Sequence, residues 1–165
     1  MSTSWTLPAG PEAAREARGA LRGWLAGLGA RPDGETSDRI VLAASEAAAN
    51  AGVHGCPPVT LAAAAVAVPG GTEVIVTVTD ADPVVPHPRH AAGLDEHGRG
   101  LDIIDAVTDW HTTTTGPGCK QVRFGVIVPG LAVSGADGSG GGRSGDPFGM
   151  TGLVPGATRR QVLAS

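Results

Sequence analysis

Tyrosine is absent from this chain, and phenylalanine occurs only twice in its 165 residues. Large flat rings therefore cannot build the interior, and a core has to rest on Val, Leu, Ile, Ala and the three Trp. No apolar run approaches the roughly 20 residues of a membrane span. The start of the chain has no basic stretch followed by a long apolar segment, so no signal peptide is expected and a cytoplasmic protein is. Surplus positive charge is lacking too. A net charge of −4 and a pI near 5.6 argue against a general nucleic-acid binder. Cysteine is limited to Cys56 and Cys119, which form no metal-type pair and read as packing residues in a reducing compartment. There is no G-x-x-x-x-G-K-[ST] loop. The G-x-G-x-x-G match at Gly140 to Gly145 has neither a strand before it nor a helix after it, so it belongs to low-complexity sequence.

The length suits one domain with a real core. Ser4 to Leu7 reads as an edge strand, and Pro11 suits the first turn of a helix. Ala17, Leu21, Trp24, Leu25 and Leu28 follow helical spacing, with Gly29 as the expected stop. A second helix is predicted from Ser37 to His54, capped by Thr36, Ser37 or Asp38, with Gly55 after its end. The alanine-rich run Val59 to Val68 favours helix by propensity. Its bracketing by Pro57-Pro58 and Pro69-Gly70-Gly71 nevertheless predicts a strand. Val74, Val76 and Val78 alternate with Ile75, Thr77 and Thr79, the pattern of a strand packed mainly on one face. Residues 83–97 read as a loop broken by prolines. Leu101, Ile104, Ala106 and Val107 give a short apolar helix face. Trp110 to Thr115 and the alternating Val122, Phe124, Val126 and Val128 predict a closing pair of strands. From Pro129 to Ser165 the composition turns to Gly and Ser, and a flexible tail is expected.

The chemistry-bearing residues lie in three separated pieces. In the second helix, Glu46, Asn50 and His54 recur every four residues, which places them on one face about a turn apart. A carboxylate and a carboxamide so arranged can act as a proton acceptor and a hard-cation ligand. The strand Val74 to Thr79 ends in Asp80. Further on, Gly98 and Gly100 flank Arg99 ahead of Leu101 at the start of a helix. Glycines there let backbone N–H groups approach an anion closely, and the helix dipole adds about 0.3–1 kcal/mol. Each piece alone has a plain reading: an exposed helix face, a turn-forming acid, a loop-to-helix junction.

In this order and spacing, the pieces resemble the N box, G1 box and G2 box of the GHKL ATP-binding superfamily. The small size and the Asn-Ala-x-x-His-Gly ending at Asn50 to Gly55 resemble the anti-sigma-factor serine/threonine kinases of the RsbW and SpoIIAB type. The resemblance covers residues 4–128, leaving 129–165 as tail. It implies an α/β two-layer sandwich of the Bergerat type, with a mixed, mostly antiparallel sheet and helices on one face. It further implies ATP and Mg2+ as cofactors, with Asn50 as the metal ligand and Glu46 as general base toward a partner's serine or threonine hydroxyl. Asp80 would accept a hydrogen bond from the adenine amino group, worth about 1.5–3 kcal/mol. His54, Gly98, Arg99, Gly100 and Leu101 would complete the nucleotide site.

The loop between Asp80 and Gly98, carrying His87, His90 and His97, would be a short ATP lid. A sigma factor or an anti-sigma antagonist is the implied partner, with neither nucleic acid nor membrane, and a homodimer is a further implication. The chain departs from the family pattern where Asp82-Pro83 replaces a glycine. It departs again where Lys120 and Gln121 occupy the last-hairpin region in which relatives place a threonine facing the nucleotide; Gln121 is the expected stand-in. Two alternatives stay open: a non-catalytic ATP- or protein-binding regulator, and a detached histidine-kinase ATPase domain.

Overall fold

The structure, a computed structural model, describes residues 1–29, 31–81, 99–116 and 118–132. The elements run β1 (Ser2–Leu7), α1 (Glu12–Ala26), α2 (Gly34–His54), β2 (Val59–Val68), β3 (Gly71–Asp80), α3 (Arg99–Val107), β4 (Trp110–Gly116) and β5 (Cys119–Pro129). The expected loop at 83–97 and most of the expected tail lie outside the described residues.

The five strands form one sheet in the order β1-β2-β3-β5-β4. Every pairing among the described residues is antiparallel, so the sheet is more uniform than the mixed arrangement expected from the sequence. Period-two alternation sorts the side chains. Leu61, Ala63, Val74, Val76, Val78, Val122, Phe124, Val126 and Val128 join one buried cluster with residues of all three helices. The other face carries Thr77, Thr79, Gln121 and Arg123, all half-buried. The alanine run of β2 is a strand, paired with β1 on one side and β3 on the other, with Ala63 and Ala65 in the buried cluster. That tertiary fit overrides intrinsic helix propensity.

Two helix ends differ from the sequence expectation. Asp33, rather than Thr36, Ser37 or Asp38, caps α2: its Oδ1 accepts the Thr36 backbone N–H at 2.6 Å. The helix can therefore start at Gly34. α1 ends at Ala26 instead of reaching Gly29, with Gly27 as the C-cap and its N–H bonded to the carbonyls of Gly23 and Trp24. Leu28 still packs into the core from beyond the helix.

Packing then fixes α3. Arg39 of α2 donates from Nε to the Val107 carbonyl at 3.0 Å and pairs with Asp109 at 3.5 Å. Asp109 in turn accepts the Ile127 backbone N–H at 2.6 Å. One guanidinium thus ties α2 to the C-terminal end of α3, while its carboxylate partner is held by β5. After β5, Leu131 is buried in the core and its carbonyl accepts the Thr72 hydroxyl at 2.7 Å.

Candidate functional site

The C-terminal half of α2 is the hub onto which the other pieces pack. Its apolar side, with Ile40, Ala44, Ala47 and Ala51, is buried. Glu46 and Asn50 are half-buried, and His54 is exposed at the last helical position. Just before Glu46, the Ser45 hydroxyl accepts a hydrogen bond from Arg18 of α1 at 2.7 Å, which sets the rotation of α2 against α1.

Two glycines show how tightly the remaining pieces close on this helix. A Cβ placed on Gly100 would lie 2.8 Å from Nδ2 of Asn50. The first turn of α3 thus lies directly against the Asn50 carboxamide, which would have to shift to admit a side chain at Gly100. A Cβ on Gly55 would lie 2.6 Å from Cγ of Asp80 and 2.8 Å from its Cβ. Gly55 has an extended backbone, with φ −88° and ψ 177°. A Cβ there would also lie 2.5 Å from the Ala51 carbonyl oxygen, so the requirement for glycine comes from the helix's own last turn together with the Asp80 side chain, not from a left-handed turn. The Ala81 N–H donates to the Cys56 carbonyl at 2.7 Å and closes the same junction from the backbone.

Asp80 is buried at 2 % exposure and is paired with Lys120, whose Nζ lies 3.3 Å from Oδ2. Lys120 stands directly opposite Asp80 in the β3–β5 register. Gln121, the expected stand-in for the family's threonine, is on the other face of the sheet, where its Nε2 donates to the Thr79 hydroxyl at 3.4 Å. The reason is alternation: Lys120, Val122 and Phe124 share the helix-facing side, and Gln121 and Arg123 share the opposite one. Counting back by twos from Phe124 is the signal that places Lys120 on the helix-facing side, with Asp80.

Of the remaining predicted residues, Gly100 is buried and Leu101 is 40 % exposed. Arg99 is the first residue of α3, with its side chain outside the described residues. Gly98, Asp82, His87, His90 and His97 also fall outside them. The structure therefore brings Asn50 to Gly100, and the end of the Asn-Ala-x-x-His-Gly segment to Asp80. Arg39 is a position that the sequence did not single out, and the contacts of Gly55 and Lys120 with Asp80 were not expected from it.

Among the described residues no group of three His, Cys, Asp or Glu side chains is arranged to hold a metal. The donor chemistry fits a magnesium ion that arrives with phosphate oxygens and takes one further oxygen from the protein. Asn50, half-buried beside the start of α3, can present that oxygen.

A family model described as the histidine kinase-like ATPase domain matches residues 7–126. Among solved structures, the chain is similar to that of the RsbU and RsbW domains of Rv1364c from Mycobacterium tuberculosis. The likeness has a TM-score of 0.58 and 28 % identity, and it covers 81 % of this chain and 35 % of that one. The chain thus spans about a third of the length of that structure. No curated protein matches it.

Proposed function

Because the chain belongs to the histidine kinase-like ATPase domain family, we propose that it is an ATP- and Mg2+-dependent regulator that acts as an anti-sigma-factor-type serine/threonine kinase. On this reading it binds a sigma factor or the antagonist of an anti-sigma factor, and phosphorylates the antagonist. The observation that carries the reading is the double close approach at α2: Gly100 against Asn50, and Gly55 against Asp80. Segments far apart in sequence meet one helix, which supports a purine triphosphate site shared among them. The similarity to a structure containing an RsbW domain supports the regulatory class.

The roles follow from side-chain chemistry. Asp80, an acceptor in a buried setting, takes the base end of the nucleotide. The start of α3 offers backbone N–H groups and a favourable dipole to phosphate. Asn50 contributes a neutral oxygen to Mg2+, which when bound neutralises charge on the phosphates. Glu46, one turn earlier on the same helix, accepts the proton of the attacking hydroxyl, an effect worth about 10²–10⁴ in rate. Among the described residues no helix is long and apolar enough to cross a membrane, and a cytoplasmic setting agrees with this role.

Calorimetry with Mg-ATP, followed by transfer of radiolabelled phosphate to an antagonist-type partner, tests the reading. Asn50→Ala should lose the Mg2+-dependent part of binding. Glu46→Ala should keep binding and lose transfer. Failure of the unmodified protein to bind Mg-ATP at millimolar concentration would end the proposal, and equal loss of both activities in the two variants would contradict the separate roles.

A further inference from the structure

The Lys120 side chain is 13 % exposed and that of Asp80 2 %, so their ion pair lies within the fold and not on its rim. Antiparallel pairing holds the two backbones opposite one another. The Gly55 backbone packs against Cβ and Cγ of Asp80 and restricts the carboxylate on its other side. The pair is therefore held in place by the sheet register and by the approach of Gly55. A carboxylate only accepts, whereas an ammonium carries three donors and no acceptor.

A carboxylate alone at the 6-position of a purine favours an amino group and rejects a keto oxygen, because two acceptors would then face each other without a proton between them. Lys120 alters that rule by setting a donor beside the acceptor. We propose that Lys120 is a base-specificity residue. Asp80 and Lys120 together form an acceptor–donor edge that admits 6-oxopurine nucleoside triphosphates as well as 6-aminopurine ones. The inference rests on the reading of Asp80 as the base-facing acid. A 6-amino group donates to Asp80. A 6-keto group accepts from Lys120, and the adjacent ring N–H of the same base donates to Asp80. No other side chain of β5 can take this part, since Gln121 is turned to the opposite face and engaged with Thr79.

Calorimetry of the full chain with Mg-ATP, Mg-GTP and Mg-ITP tests the assignment. The unmodified protein should bind all three with Kd values within about tenfold of one another. Lys120→Met should raise the GTP-to-ATP and ITP-to-ATP ratios of Kd by about tenfold or more. Inosine lacks the 2-amino group of guanine, so a parallel change in the two ratios assigns the effect to the 6-keto oxygen. Lys120→Gln, which keeps an uncharged donor, should restore ratios close to those of the unmodified protein. Thermal melts accompany each variant, and Lys120→Thr is read in place of Lys120→Met if the latter does not fold.

Unchanged ratios with ATP still bound would overturn the role of Lys120 and leave the ATP reading standing. A preference of the unmodified protein for ATP over GTP above about a hundredfold would do the same. Failure to bind any of the three nucleotides would overturn both.

Discussion

Along the helix-facing side of β3 and β5, Val74 faces Val126, Val76 faces Phe124 and Val78 faces Val122. One step further, Asp80 faces Lys120. The two regions share a sheet, a register and a low exposure, yet differ completely in chemistry. The apolar pairs gain by leaving water, at roughly 25 cal/mol per Å² of surface removed. The charged pair gains no such thing, because stripping water from two ions offsets most of their mutual attraction. Stability alone would favour a fourth apolar pair in that place. The switch from valine to an acid–base pair marks where the apolar file of the sheet ends, beside the end of α2 where Gly55 closes in; on the proposed function it is also where the sheet meets the base of the nucleotide.

The contrast can be broken most forcefully from the apolar side. Phe124 is fully buried at the centre of the cluster, and Phe124→Ala should destabilise the fold by about 3–5 kcal/mol in chemical denaturation. Nucleotide preference of the fraction that remains folded should not change. A shift in that preference would mean that the apolar file and the charged end are not separable.

The charged end can be tested by exchanging both partners. Asp80→Leu alone leaves the Lys120 ammonium without its carboxylate and should cost about 3 kcal/mol. The double variant Asp80→Leu with Lys120→Met should recover most of that loss, to within about 1 kcal/mol of the unmodified protein. It should bind no Mg-ATP. A double variant as unstable as the single one would show that the ion pair is structural and would remove the distinction between the two regions.

The smallest effect belongs to the opposite end of α2, far from the charged pair. The hydrogen bond from the Thr36 backbone N–H holds the Asp33 carboxyl below its ordinary value of 3.8. A group whose value is lower in the folded than in the unfolded state contributes fully above the unfolded value, and loses that contribution as pH falls through the folded one. The gap in thermal midpoint between the unmodified protein and Asp33→Ala should therefore be small but complete at neutral pH, and should close below pH 3.8. Nucleotide binding at neutral pH should be the same for both. A cap substitution that altered binding would tie the far end of α2 to the site.

Much of this architecture is legible in the chain. Period-two alternation located β3 and β5, helical spacing located α1 and α2, and proline bracketing identified the alanine run as β2. The residues that were missed share a cause. Asp33 is followed within five residues by three other capping types, Thr36, Ser37 and Asp38, and local preference does not choose among such neighbours. Gly27 ended α1 before Gly29 could. Between the neighbours Lys120 and Gln121 the deciding quantity is the face of the strand, which places Gln121 beside Thr79 and Lys120 beside Asp80. Arg39 looks like any helix-surface arginine until its partners arrive from α3 and from the turn after it, 68 and 70 positions later.

The order and spacing of residues by themselves determined the element types, the apolar faces and the identity of the chemical groups, because these depend on repeats of two or about 3.6 residues within a single segment. Which of those groups meet was decided only in three dimensions. The approach of Gly100 to Asn50, of Gly55 to Asp80, and of Lys120 to Asp80 each joins segments held apart by intervening elements. Such contacts exist only once antiparallel register and helix packing have set backbone separations at the scale of a single methyl group.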